Sequence, residues 1–159
     1  MTQPAGTVII VSSLGFVSGA IRLATRSHWS HVAIADGQGG IVEALGRGIV
    51  RSPETKYDHV EHVWLRHAPL PNPANAVNYA ESRIGKPYNY PAIAVLGIES
   101  LGVDADRLAR WADRRDADIC SELAVLSWRA GGYDPWPHYI ACTVSPAMFA
   151  NRALIEDWA

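Results

Sequence analysis

His31-Val32-Ala33-Ile34-Ala35-Asp36-Gly37-Gln38-Gly39-Gly40-Ile41-Val42-Glu43-Ala44-Leu45 decides how the rest of the chain is read. Its two ends are short apolar runs with β-branched residues, and its middle is a turn. Asp and Gly tolerate positive φ, so Asp36 to Gly40 can reverse the chain. The stretch predicts a hairpin with strands at 31–35 and 41–45. A hairpin lays those strands side by side, with His31 near the far end of the second strand. A carboxylate on the facing strand can hold an imidazole by a ring N–H and stabilise its cation. Glu43 is placed to do this, although an exposed strand glutamate would give the same pattern.

Outward from the hairpin, Thr7 to Val11 predicts a buried strand. Gly15 breaks it, and Phe16 to Ala24 can form two helical turns. Gly48 to Arg51 and His59 to Leu65 predict two more short strands, so the strand-rich half ends near Arg66. Helices follow. Asn72 fits an N-cap with Pro73 at the first helical position, and the helix runs to Ile84 before Gly85. Ala92 to Leu101, Ala105 to Arg114 and Ser121 to Ala130 have helical character, the last ended by Gly131-Gly132. Strands first and helices later predict an α+β fold rather than a parallel βαβ sheet.

Length and composition bound the function. A chain of 159 residues is one domain by size, residues 1–159, and can hold a core without staples. The 48% hydrophobic and 19% charged residues are ordinary for a globular protein. Fourteen basic residues, twelve of them Arg, stand against sixteen acidic ones, a formal charge of −2. That balance gives no broad attraction to nucleic acid or anionic lipid, and no aromatic residues interleave with a basic stripe. The apolar stretch from Val8 to Ala24 is broken by Ser12, Ser13, Gly15, Ser18, Gly19 and Arg22, so no integral membrane segment is expected. Nothing basic precedes that stretch, so it reads poorly as a signal peptide, and the expected location is cytoplasmic. In a reducing compartment the two cysteines are free thiols.

Asp118-Ile119-Cys120-Ser121-Glu122-Leu123 carries the strongest chemical signal. Leu123, Leu126 and Ala130 share a helical face, which sets Cys120 at a helix N-terminus. The free amides and positive dipole end there stabilise a thiolate and lower a thiol pKa from about 8.5. The same amides can donate to an oxyanion. A buried, inert cysteine is the plainer alternative. A thiol nucleophile needs a base near neutral pH, and His31 at a strand start suits this better than His28 in the preceding loop.

Other candidates are weaker. His59 and His62 point to opposite faces of a presumed strand, His67 is isolated, and no metal site or cofactor is expected. Asp113 to Asp116 and Asp118 read as a solvated loop of mixed charge. Ile140 to Val144 reads as a strand that buries Cys142. No dinucleotide fingerprint, phosphate loop or HExxH occurs.

The order of these pieces resembles the permuted NlpC-type papain-like superfamily, in its YiiX-like branch. Unpermuted relatives place the Cys helix before the His strand; here the order is His31, Glu43, Cys120. The resemblance extends further along the chain. Val8 to Val11 resembles the opening strand. Ala20 to Thr25 with Ser27-His28-Trp29-Ser30-His31 resembles the helix-to-His segment. Val42-Glu43-Ala44 with Gly48-Ile49-Val50 resembles the acid strand and the one after it. Gly85-Lys86-Pro87-Tyr88-Asn89-Tyr90 resembles a Gly-x-Pro-Tyr-Asp-Tyr segment, with Asn89 where Asp is usual. Thr143-Val144-Ser145-Pro146 resembles a closing motif.

The resemblance implies a circularly permuted papain-like fold, a small antiparallel sheet or half-barrel packed on helices that include the Cys-bearing one. It implies Cys120 as nucleophile, His31 as base and Glu43 as orienting acid. Tyr88 and Ser121 are candidates for substrate or oxyanion support, and a core tyrosine fits Tyr88 equally well.

Three functions follow as expectations. The first is a cysteine amidase or peptidase on small or cell-wall-type peptides, which would need another route to the wall. The second is an acyltransferase, thioesterase or lipid esterase of the lecithin:retinol acyltransferase-like type, with Ala92 to Ile98 walling an acyl pocket. Both use a thioester. The third is an inactive binding module that presents Trp128, Trp136 and Trp158. The partner in the first two is a small peptide, amide or acyl substrate; oligomeric state is not legible.

Overall fold

Val8–Val11 (β1) is Val-Ile-Ile-Val and every residue in it is buried, which suits only a central strand with both faces covered. The computed structural model, which describes residues 2–12 and 16–158, places it so. The other strands are His31–Ala35 (β2), Gly40–Leu45 (β3), Gly48–Pro53 (β4) and His62–Leu65 (β5). They form one open antiparallel sheet in the order β4-β3-β2-β1-β5. The predicted hairpin is β2 and β3, with Gly37 and Gly39 at positive φ in its turn.

Side chains alternate across the sheet, and the two faces have separate cores. Val8, Ile10, Val32, Ile34, Val42 and Ala44 face the helices. Ile9, Val11, Ala33, Ala35 and Ile41 form a smaller cluster with Tyr57 and Trp64. A 3₁₀ turn at Glu54–Tyr57 supplies Tyr57. His31 and Glu43 share the parity of this second face.

Six helices are described: Phe16–Thr25 (α1), Pro73–Ser82 (α2), Tyr90–Ser100 (α3), Asp106–Asp113 (α4), Cys120–Ala130 (α5) and Pro146–Glu156 (α6). Asn72 caps α2 as expected, its side chain accepting from Asn75 N at 3.2 Å. Eight residues of α5 are buried, including both polar ones at its start, Ser121 and Glu122. It packs against β2, β3 and α2. Trp128 near its end meets Phe149, Trp158 and Tyr133 at ring distances of 5.3, 5.5 and 5.7 Å. Burying one such ring contributes on the order of 3 kcal/mol. Trp128 and Trp158 are therefore core, and Trp136 is buried with them, so the three do not form a presented surface.

Three local expectations are corrected. Ile140 to Val144 is not a strand. It has no strand partner, and its bonds close locally into a 3₁₀ turn at Ala141–Thr143, with Thr143 N and Oγ1 both bonded to Ile140 O. The strand expected from His59 begins at His62, because Val60 N closes a turn on Tyr57 O. Helix α6 was not foreseen, although Ser145 caps it from Met148 N and Pro146 opens it. The break expected at Gly15 lies outside the described residues. No helix among the described residues is long and apolar enough to cross a membrane.

Candidate active site

β1 positions His31. Val11 pairs with His31, and Ser30 N donates to Val11 O at 3.1 Å, so His31 is fixed as the first residue of β2. The β2–β3 ladder joins Ile34 to Val42 and Ala35 to Ile41. His31 and Glu43 fall just beyond it, where the strands part and leave room for a ring. The imidazole Nε2 lies 2.8 Å from Glu43 Oε2. That leaves Nδ1 free of Glu43, and the Cys120 thiol lies close enough to the ring to act on its charge.

All three groups are buried: His31 is 6% exposed, Glu43 0% and Cys120 1%. Burial alone would expel the charge from His31. The hydrogen bonds and charges of Cys120 and Glu43 outweigh it and raise the imidazole to about 9. Burial likewise opposes the charge on Glu43, yet His31, then Lys56 and Ser52, hold its carboxyl well below the usual range. At neutral pH the pair is an imidazolium on a carboxylate.

Cys120 opens α5, as the sequence predicts. Ile119 is the N-cap and has no polar side chain; Glu122 reaches back to accept from Ile119 N at 3.0 Å. The first helical bond is Leu123 N to Ile119 O. The amides of Cys120, Ser121 and Glu122 therefore lack intrahelical partners and are donors at the helix end that carries the thiol.

Tyr88 arrives by a separate route. Gly48 sits at φ +116, and a Cβ there would meet Lys86 O at 2.9 Å. That close approach lets Ile49 N bond Lys86 O and Gly85 N bond Ile49 O, which docks the segment on β4. Tyr88 then bridges Asp118, and Asn89 N bonds Asp118 O at 3.2 Å. Burial first, then the neighbouring Cys120, pushes the Tyr88 hydroxyl far above its ordinary range, so it stays a neutral donor. Asp118 departs from the expected solvated loop. It is 2% exposed and accepts from Arg83 Nε at 2.7 Å, which pins the entry to α5.

The structure thus brings Cys120, His31, Glu43 and Tyr88 together. Ser121 follows Cys120 but its hydroxyl is buried without a hydrogen-bond partner, so its amide is what it offers the site. His28 is outside: its side chain is 52% exposed, with Glu61 at 3.7 Å. Sequence reading missed the groups behind Glu43. Tyr57 Oη donates to Oε2 at 2.6 Å and Lys56 Nζ to Oε1 at 2.5 Å. Nothing in the run Glu54-Thr55-Lys56-Tyr57 marks it as folding back on the strand face.

One group of possible metal donors is found among the described residues: Asp113, Glu122 and Cys142, within 4.8 Å of one another. Burial leads in pushing Glu122 up to about 8 and Cys142 up to about 12. Metal ligands must be deprotonated, and a thiolate beside two carboxylates with no imidazole mixes soft and hard donors. This set does not fit a resident metal.

No family model and no curated protein matches the chain. Among solved structures it is similar to the metalloprotein yiiX from Escherichia coli O157:H7, DUF1105. Identity is 19%, the TM-score is 0.59, and the match covers 97% of this chain and 82% of that one. The chain has a YiiX-like fold. The likeness runs through the sheet and the helices alike, since nearly the whole chain is covered.

Proposed function

We propose that this protein is a cysteine hydrolase of the permuted NlpC-type papain-like kind, acting on amide bonds of small or cell-wall-type peptides. The observation that carries the reading is the buried line of thiol, imidazole and carboxylate, with His31 2.8 Å from Glu43 and its other edge toward Cys120. The Cys120 sulfur attacks the carbonyl carbon, and the oxyanion is met by amides at the start of α5. His31 gives its proton to the leaving amine as the C–N bond breaks, leaving a thioester. The neutral imidazole then takes a proton from water, whose oxygen attacks the thioester and releases the acid and the thiol. Glu43 keeps the ring oriented and its cation stable. The solved neighbour is named a metalloprotein. No step here runs through a metal, because burial holds the protons on Glu122 and Cys142.

A second reading, acyl transfer or lipid ester cleavage through the same thioester, is favoured by one observation. A groove of about 540 Å³ between α1 and α3 is lined by Ala20, Leu23, Ile93, Gly97, Ile98 and Leu101. Its lining does not include Cys120 or His31.

Acid quenching of the protein with peptide amides and with fatty-acyl esters, followed by peptide mass mapping, separates the readings. An acyl adduct on the Cys120 peptide from amides supports the first, and one from fatty-acyl esters alone supports the second. No adduct from either class, with substrate intact, contradicts both.

A further inference from the structure

The catalytic groups do not balance in charge on their own. In the attacking form that the hydrolase reading requires, a thiolate and a carboxylate stand on either side of one imidazolium, a net negative charge among three buried side chains. An uncompensated buried charge is costly and is relieved by taking up a proton. The second positive charge comes from Lys56 in the 3₁₀ turn after β4. Its ammonium meets Glu43 Oε1, on the carboxylate oxygen that His31 does not use.

We propose that Lys56 and Tyr57 are positioning residues that balance the Cys120–His31–Glu43 cluster and keep it in its ion-paired state at neutral pH. The proposal rests on the cysteine hydrolase reading and adds the groups that set its working pH. β2 contributes His31, β4 contributes the Ser52 hydroxyl, and the 3₁₀ turn contributes Lys56 and Tyr57. Beyond His31, α5 presents Cys120, and the segment before α3 presents Tyr88. Lys56 is the one cation among these besides His31.

The geometry explains why two residues are needed. Glu43 Oε2 already accepts from His31 and from Tyr57, at 2.8 and 2.6 Å, so the lysine reaches the carboxylate from its other oxygen. Lys56 keeps 32% of its side chain exposed, so its ammonium stays solvated while it pairs inward. The Tyr57 ring, 5.6 Å from the imidazole, closes the same side against water. Removing a positive charge from a coupled cluster raises its affinity for protons, so the protonation steps of the pair move to higher pH.

The test is the rate of iodoacetamide alkylation of Cys120 from pH 5 to 9, with Cys142 scored in the same digests. The full-length wild type is compared with Lys56→Met, Lys56→Arg, Tyr57→Phe and His31→Ala. Lys56→Met is expected to slow Cys120 about tenfold near pH 6 and to shift its curve to higher pH. Lys56→Arg should restore the wild-type curve, which lost packing alone would not predict. Tyr57→Phe should shift it in the same direction by about threefold in rate, and reads the effect if Lys56→Met does not fold. Cys142, at 0% exposure, reports unfolding by becoming reactive. Lys56→Met and Tyr57→Phe curves that overlay a His31-dependent wild-type curve overturn this proposal and leave the hydrolase reading standing. A wild-type curve unaffected by His31→Ala overturns both.

Discussion

Cys120 and Cys142 are equally hidden, at 1% and 0% exposure, yet they sit in opposite kinds of surroundings. Cys120 opens a helix, faces an imidazolium and has free amides around it. Cys142 lies in a 3₁₀ turn, donates to Ala109 O at 3.4 Å, and has Glu122 and Asp113 as its charged neighbours. Burial pushes its thiol up to about 12, and the nearby carboxylates push the same way. Exposure does not separate the two thiols. The sign of the neighbouring charges and the direction of the helix do.

The comparison breaks most sharply under deletion of each sulfur. Cys120→Ala should abolish turnover and adduct formation, whereas Cys142→Ala should keep full turnover and lower stability by about 1 kcal/mol. Steady-state rates and urea unfolding of the two variants check this. Loss of activity in Cys142→Ala with an unchanged unfolding curve would erase the contrast.

His31→Ala comes next. It removes both the proton carrier and the cation beside the sulfur, and kcat/KM should fall by about 10²–10⁴. Glu43→Gln keeps the shape but loses the charge, and should cost about tenfold to a hundredfold. A Glu43→Gln variant as inactive as His31→Ala would make the carboxylate more than an orienting group.

The smallest effects are in stability against pH. His31 titrates near 6.5 unfolded and near 9 folded. Its contribution is therefore complete below pH 6.5 and is lost as pH climbs through 9. Glu122, beside Cys142, holds its proton to about 8 against 4.5 unfolded, so it too lowers stability as pH rises, from 4.5 to about 8. Glu43 has the opposite sign: its folded carboxyl is depressed, and its contribution is lost as pH falls below 4.5. Melting curves of Glu122→Gln should be flatter than wild type between pH 4.5 and 8 by about 3 °C, and those of His31→Ala flatter between 6.5 and 9. A wild type with no decline across pH 5 to 9 would contradict both assignments.

The parts that sequence made legible are those whose causes are local. The Asp36–Gly40 turn fixes the hairpin, and the hairpin fixes His31 against Glu43. The apolar spacing after Cys120 fixes the helix that begins at it. Lys56 and Tyr57 were not legible, because they reach Glu43 through a turn that folds back across the sheet. Asp118 read as solvated for the same reason: its partner Arg83 is thirty-five residues away. At Cys142 the β-branched neighbours Ile140, Thr143 and Val144 suggested a strand, but a strand needs an edge to pair with, and the chain there closes on itself. The Ser145-Pro146 cap was a readable signal for α6 that the apolar run before it obscured. Substrate class is written in neither the hairpin nor the Cys120 helix.

The most direct measurement is the pH profile of Cys120 alkylation in wild type and His31→Ala, with Cys142 as the internal reference. The account predicts that Cys120 reacts rapidly below pH 8 in a His31-dependent way while Cys142 stays silent. Equal and slow reaction of the two cysteines, unchanged in His31→Ala, would contradict it.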